Sequence, residues 1–131
     1  MAPRQRNIAI CTYRVKCGEE QRFGELLREH WKVLRTFGLV SEREPQVFLG
    51  VDESRAHVIV EIFEWLDDGA SARAELLPQV LAIWDPMTAC CEPRLGHPAM
   101  EFPHYEQVGL AGKKKAAKKK VVAKKKPAKK K

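Results

Sequence analysis

The chain predicts an α+β domain in which a four-stranded antiparallel sheet carries two helices on one face. Three observations lead there. Two apolar stripes at three- and four-residue steps, from Phe23 to Phe37 and from Leu77 to Met87, have the period of helices. Short runs rich in Val, Ile, Phe and Tyr lie before, between and after them and read as strands. Beyond residue 112 the composition collapses to Lys, Ala, Val and Pro, which sets a domain at 1–112 and a separate tail at 113–131.

Taken in order, residues 7–17 alternate loosely around Ile8, Ile10 and Val15 and form a first strand closed by Gly18. Residues 19–37 form the clearest helix. Phe23, Leu26, Leu27, His30, Trp31, Leu34 and Phe37 share one face, Glu19 and Glu20 suit the positive end of the helix dipole, and Gly38 suits its close. A polar loop leads to a strand at 46–51, a turn at 52–55 and a longer strand at 57–65, which together read as a hairpin.

Asp67, Asp68 and Ser71 are candidate caps for a second helix. Pro78 suits a restart of that helix at a first-turn position, and Pro86 is expected to break or kink its end. Residues 100–105 read as a last strand, where Pro103 requires an edge or a bulge.

The resulting order, βαββαβ, is the split pattern of the ferredoxin-like fold. Residues 57–65 offer apolar side chains on both faces: Val58, Val60 and Ile62 on one, Ile59, Phe63 and Trp65 on the other. Two helices cover only one face, so the other calls for a second copy and a symmetric dimer. Aspartate at Ile59 or Val60 is expected to separate or unfold the subunits.

The net charge of +7 joins two opposite parts. The tail holds 12 of the 24 Lys and Arg and no acid, leaving 12 basic against 17 acidic residues, or −5, in the domain. The basic balance therefore says nothing about nucleic-acid binding by the domain itself. No apolar run approaches the roughly 18–20 residues of a membrane span, and the N-terminal stretch is too short for a signal peptide. The expected location is cytoplasmic, with nucleoid association through the tail. Cysteines at 11, 17, 90 and 91 lack the spacing of a metal knuckle or redox pair and read as reduced thiols. His57, His97 and His104 have no ligand spacing, so neither a metal nor a cofactor is predicted.

The run Tyr13-Arg14-Val15-Lys16-Cys17-Gly18, the long amphipathic helix, Glu61-Ile62-Phe63-Glu64-Trp65, the helix with Pro78 and Trp84, and Met100-Glu101-Phe102-Pro103 together resemble the antibiotic biosynthesis monooxygenase-like group of dimeric α+β barrel proteins. The likeness spans about residues 7–108. It implies a fold and a small-molecule pocket between sheet and helices. Some members of the group degrade haem, and others oxidise polyketide quinones without a cofactor. The haem-degrading members use an asparagine, a tryptophan and a histidine. Trp65 matches the tryptophan, while Cys11 and Glu75 fall at the other two positions, which argues against haem degradation.

A cofactor-free oxygenase or a small-molecule isomerase needs an apolar pocket with a few polar groups. Candidates for catalysis are His30, Trp65 and Glu75, with Cys11, Tyr13 and Glu61 as pocket residues. His30 interrupts an apolar helix stripe, where burial would tune it as a base. Glu61 lies in line with Ile59 and Phe63, and a buried carboxylate is costly unless paired. The plain alternatives are a core-edge histidine, packing tryptophans and a solvent-exposed glutamate.

The tail carries Lys113, Lys114, Lys115, Lys118, Lys119, Lys120, Lys124, Lys125, Lys126, Lys129, Lys130 and Lys131. It resembles the lysine-rich tails of linker histones and bacterial histone-like proteins. Without aromatic or acidic residues it cannot bury a core. Its expected partner is DNA, RNA or another polyanion, bound through phosphate and without sequence readout.

Two functions are compatible with this reading. One is a small-molecule-binding homodimer, monooxygenase-like and acting on an apolar aromatic compound. The other is a non-enzymatic dimerisation module that presents basic tails to nucleic acid.

Overall fold

In the computed structural model, which describes residues 7–109, the elements follow the order β1 (Ile8–Arg14), α1 (Glu20–Thr36), β2 (Gln46–Val51), β3 (His57–Glu64), α2 (Ala70–Ala74), α3 (Pro78–Ala89), β4 (Met100–Glu101) and β5 (His104–Tyr105). All strand pairs are antiparallel, in the order β2-β3-β1-β4, with β4 along the end of β1 and β5 along its start. This is the ferredoxin-like arrangement.

The expected last strand is two short strands, so the sheet has five rather than four. Pro103 is the reason. It has no N–H to give to the ladder, but its carbonyl accepts from Ile10 N–H at 3.2 Å, which holds β4 and β5 against one neighbour.

The first helix ends in a Schellman motif. Leu39 N–H reaches the Leu34 carbonyl at 3.0 Å and Gly38 N–H the Arg35 carbonyl at 3.1 Å, with Gly38 at φ +63°. The second helical region is divided. A short α2 is separated from α3, and Pro78 opens α3 as a first-turn proline. None of the expected caps is the N-cap residue of α2, a position held by Gly69. Asp67 instead accepts the Gly69 N–H at 2.9 Å and pairs with Arg73. Pro86 does not end α3, which runs three residues further to Ala89.

The register sets two unlike faces. Cys11 lies opposite Glu61 and Tyr13 opposite Ile59, so these share the face under the helices with Ala9, Phe63 and Trp65. Tyr13, Phe23, Leu34, Val80 and Met87 form the centre of that core. The opposite face carries Val58, Val60 and Ile62, half-buried, with Phe48 opposite Val60. No helix covers it among the described residues. Strand β2 is exposed throughout: Phe48 keeps 53%, Leu49 64% and Val51 65% of its surface in water.

Three of the four thiols are shielded. Cys11, Cys90 and Cys91 are buried, and Cys17 is exposed. Burial pushes the Cys91 thiol up to about 12, and it raises Cys90, whose thiol also donates to Glu19 Oε1 at 3.6 Å. Because the thiolate is the reactive form, iodoacetamide at neutral pH should label one site, Cys17, in folded protein and all four after denaturation. Peptide mass mapping reads the outcome directly.

Candidate functional site

The covered face of the sheet bears a cavity of about 410 Å³ between sheet and helices, within the range of small-molecule sites. Ala9, Cys11 and Tyr13 of β1, Phe63 of β3 and Trp65 just beyond it make its floor. His30 of α1 with Trp84 and Met87 of α3 make one wall, and Met100, Phe102 and His104 make another. Glu75, at the close of α2, is exposed, as are Phe102 and His104, so these three mark the mouth.

Five of the six residues expected at a site, Cys11, Tyr13, His30, Trp65 and Glu75, therefore line one cavity. The sixth, Glu61, does not line it. It lies one layer behind, with none of its surface in water. Tyr13 donates its hydroxyl to Glu61 Oε1 at 2.6 Å, and Trp31 donates its indole N–H to Oε2 at 2.7 Å. His30 Nδ1 stands 3.5 Å from the same Oε2. These donors replace the water that a buried carboxylate loses.

Burial, with the Glu61 charge beside it, holds the Tyr13 phenol well above its usual range and raises the Cys11 thiol in the same way. Both side chains thus stay neutral and shape the floor rather than supply a nucleophile.

Two buried polar atoms lack a hydrogen-bond partner among the described residues, His30 Nδ1 and Trp65 Nε1. Both belong to cavity residues. An indole N–H can only donate, and an unmet buried donor costs about 1–3 kcal/mol. The rings around His30 confine it: Phe63 meets it edge-on at 6.2 Å between centroids, and Trp84 lies at 6.3 Å.

Trp31, now seen to anchor Glu61, and Met87 were legible only as stripe residues, and the cavity-lining roles of Met100, Phe102 and His104 had no signal in spacing. Their placement depends on how far β4 and β5 run alongside β1. The two positions where haem-degrading proteins carry asparagine and histidine hold a buried neutral thiol and an exposed carboxylate. They do not fit haem. Among the described residues, no group of three or more His, Cys, Asp or Glu is placed to hold a metal ion, and no helix is long and apolar enough to cross a membrane. The tail lysines lie outside the described residues.

No protein-family model matches the chain, and no curated protein matches it. Solved structures do. The chain is similar to SnoaB, a cofactor-independent oxygenase from Streptomyces nogalater, at 17% identity and a TM-score of 0.55, covering 82% of this chain and 97% of that one. It is similar to an antibiotic biosynthesis monooxygenase at 18% identity and a TM-score of 0.51, covering 79% and 97%. A dimeric ferredoxin-like protein of unknown function from Jannaschia is similar at 12% identity and a TM-score of 0.52, covering 76% and 97%. At these identities the likeness establishes the fold.

Proposed function

We propose that the domain binds a small apolar aromatic compound between sheet and helices and oxidises it as a cofactor-independent, monooxygenase-like enzyme. The observation that carries this reading is the apolar cavity of about 410 Å³ lined by Trp65, a residue whose buried indole N–H has no hydrogen-bond partner among the described residues. The similarity to a cofactor-independent oxygenase supports it.

The chemistry asks little of the protein. A phenol with a free ring C–H plus one O₂ gives a quinone plus one water, and the substrate supplies all four electrons. The protein must take the hydroxyl proton, hold the oxyanion and keep bulk water out. His30 is the group for the first task and Trp65 N–H for the second. Glu75 and His104 stand at the mouth, while Cys11 and Tyr13 shape the floor. A symmetric homodimer closes the uncovered sheet face in this reading; the dimeric ferredoxin-like neighbour supports it.

Native mass spectrometry after a high-salt wash tests both parts. A dimer with added mass is expected, and the mass identifies the ligand class. A bare monomer that also binds no planar phenol in a titration would overturn the reading.

The tail favours a second activity that does not exclude the first. Twelve lysines in nineteen residues, with no acid, match a phosphate backbone by charge alone. Full-length protein should bind duplex DNA with log K falling against log salt at a slope of about −8 to −10. Deleting 113–131 should abolish that binding and leave the subunit number unchanged, as read by fluorescence anisotropy and sedimentation. Unchanged affinity after the deletion would remove the tail from the account.

A further inference from the structure

The buried carboxylate of Glu61 has no part in lining the cavity, yet it touches three aromatic side chains that surround it. Its oxygens are committed. Tyr13 O–H, kept protonated by burial, gives its hydrogen to Oε1, and Trp31 N–H, which has no lone pair to offer, gives its hydrogen to Oε2. Glu61 is thus an acceptor on both sides. The third neighbour, His30 Nδ1, is buried, has no hydrogen-bond partner and faces Oε2 from 3.5 Å.

A neutral imidazole carries its one proton on either nitrogen, and the neighbours of each nitrogen decide which. With the proton on Nε2, the Nδ1 lone pair would lie 3.5 Å from a carboxylate oxygen, two electron-rich atoms close together in a buried core. With the proton on Nδ1, the same contact becomes attractive. We infer that Glu61 is a positioning residue that fixes His30 as the Nδ1–H tautomer, leaving the Nε2 lone pair as the proton acceptor for a ligand in the cavity.

The present 3.5 Å separation fits that role, since contacts of this kind are often long in a ligand-free site and tighten when the ligand seats. The step balances simply. The ligand O–H bond breaks, an Nε2–H bond forms, and the imidazolium rests against the Glu61 carboxylate while the oxyanion faces the cavity. A histidine side chain free in water favours the opposite, Nε2–H, tautomer, so the assignment is specific to this neighbour.

The inference rests on the proposed use of the cavity, but its test needs no ligand. Two-bond ¹⁵N–¹H correlation spectra of the full-length protein, at a pH where the His30 ring is neutral, report which nitrogen bears the proton. The expected result is Nδ1–H for His30 in the native protein and a change to predominantly Nε2–H in Glu61→Gln, which keeps the side-chain shape. A His30 ring already in the Nε2–H form in the native protein would overturn the inference, as would an unchanged tautomer in the variant. If Glu61→Gln does not fold, the native spectrum alone decides. An Nδ1–H ring together with an empty cavity in native mass spectrometry would leave the dyad standing and remove the small-molecule reading, so the two fail separately.

Discussion

Phe23→Ala should lower the stability of the domain by about 3–5 kcal/mol, and the melting temperature by on the order of 15 °C or more for a unit of this size. Phe23 has no exposed surface and packs at a tilt against the Tyr13 ring, 4.8 Å between centroids, where α1 meets β1. Truncation removes the transfer energy of the ring and leaves a void. The void has little freedom to collapse. Tyr13 is tethered by its 2.6 Å bond to Glu61, and Glu61 is tethered to Trp31 on the same helix. Moving any one of them breaks a buried polar contact. Urea unfolding followed by tryptophan fluorescence measures the change. A loss below about 1 kcal/mol would mean that the helix can slide into the gap and that the Tyr13–Glu61–Trp31 tether is weak.

Val60→Asp should convert the proposed dimer to folded monomer. Val60 sits opposite Phe48 on the face that no helix covers among the described residues. A symmetric contact there puts two added carboxylates into one apolar interface, each costing about 3–5 kcal/mol if unpaired. Even one such cost raises the dissociation constant by roughly 10²- to several 10³-fold, which sedimentation velocity at micromolar protein resolves. Ile59, one residue earlier, is buried under the helices instead. Its Asp variant should lose the circular dichroism of the folded domain rather than its partner. The pair separates the two faces. A dimer that survived Val60→Asp with unchanged affinity would show that another surface holds the subunits.

The layout of the domain was legible because its signals are local. The stripe from Phe23 to Phe37 could only be a helix, Gly38 could only be its end, and the alternation of residues 57–65 could only be a strand with two apolar faces. The misreadings occur where tertiary contacts outweigh local preference. Pro86 suggests a break or a kink at the end of α3, and no break occurs there, since α3 continues to Ala89: a proline costs a helix one hydrogen bond and not the burial of Val80 and Met87 in the core. Pro103 was rightly placed at an irregularity, though nothing in the local pattern said that it would split one strand into two. At the candidate site, alternation alone put Glu61 on the inner face. That its partners are Tyr13 and Trp31 depends on a register between residues 48 and 30 positions away, which no window of sequence contains.

The two margins of the sheet are not alike. On one side, two-residue strands interrupted by Pro103 present too few consecutive free amides to template another chain. On the other, β2 offers six residues, Gln-Val-Phe-Leu-Gly-Val, without a proline or a charge, and all of them are exposed. Such an edge is a seed for uncontrolled strand addition. Among the described residues the two borders therefore differ in what they offer a further strand: one is too short and interrupted to pair with it, and the other presents a full edge.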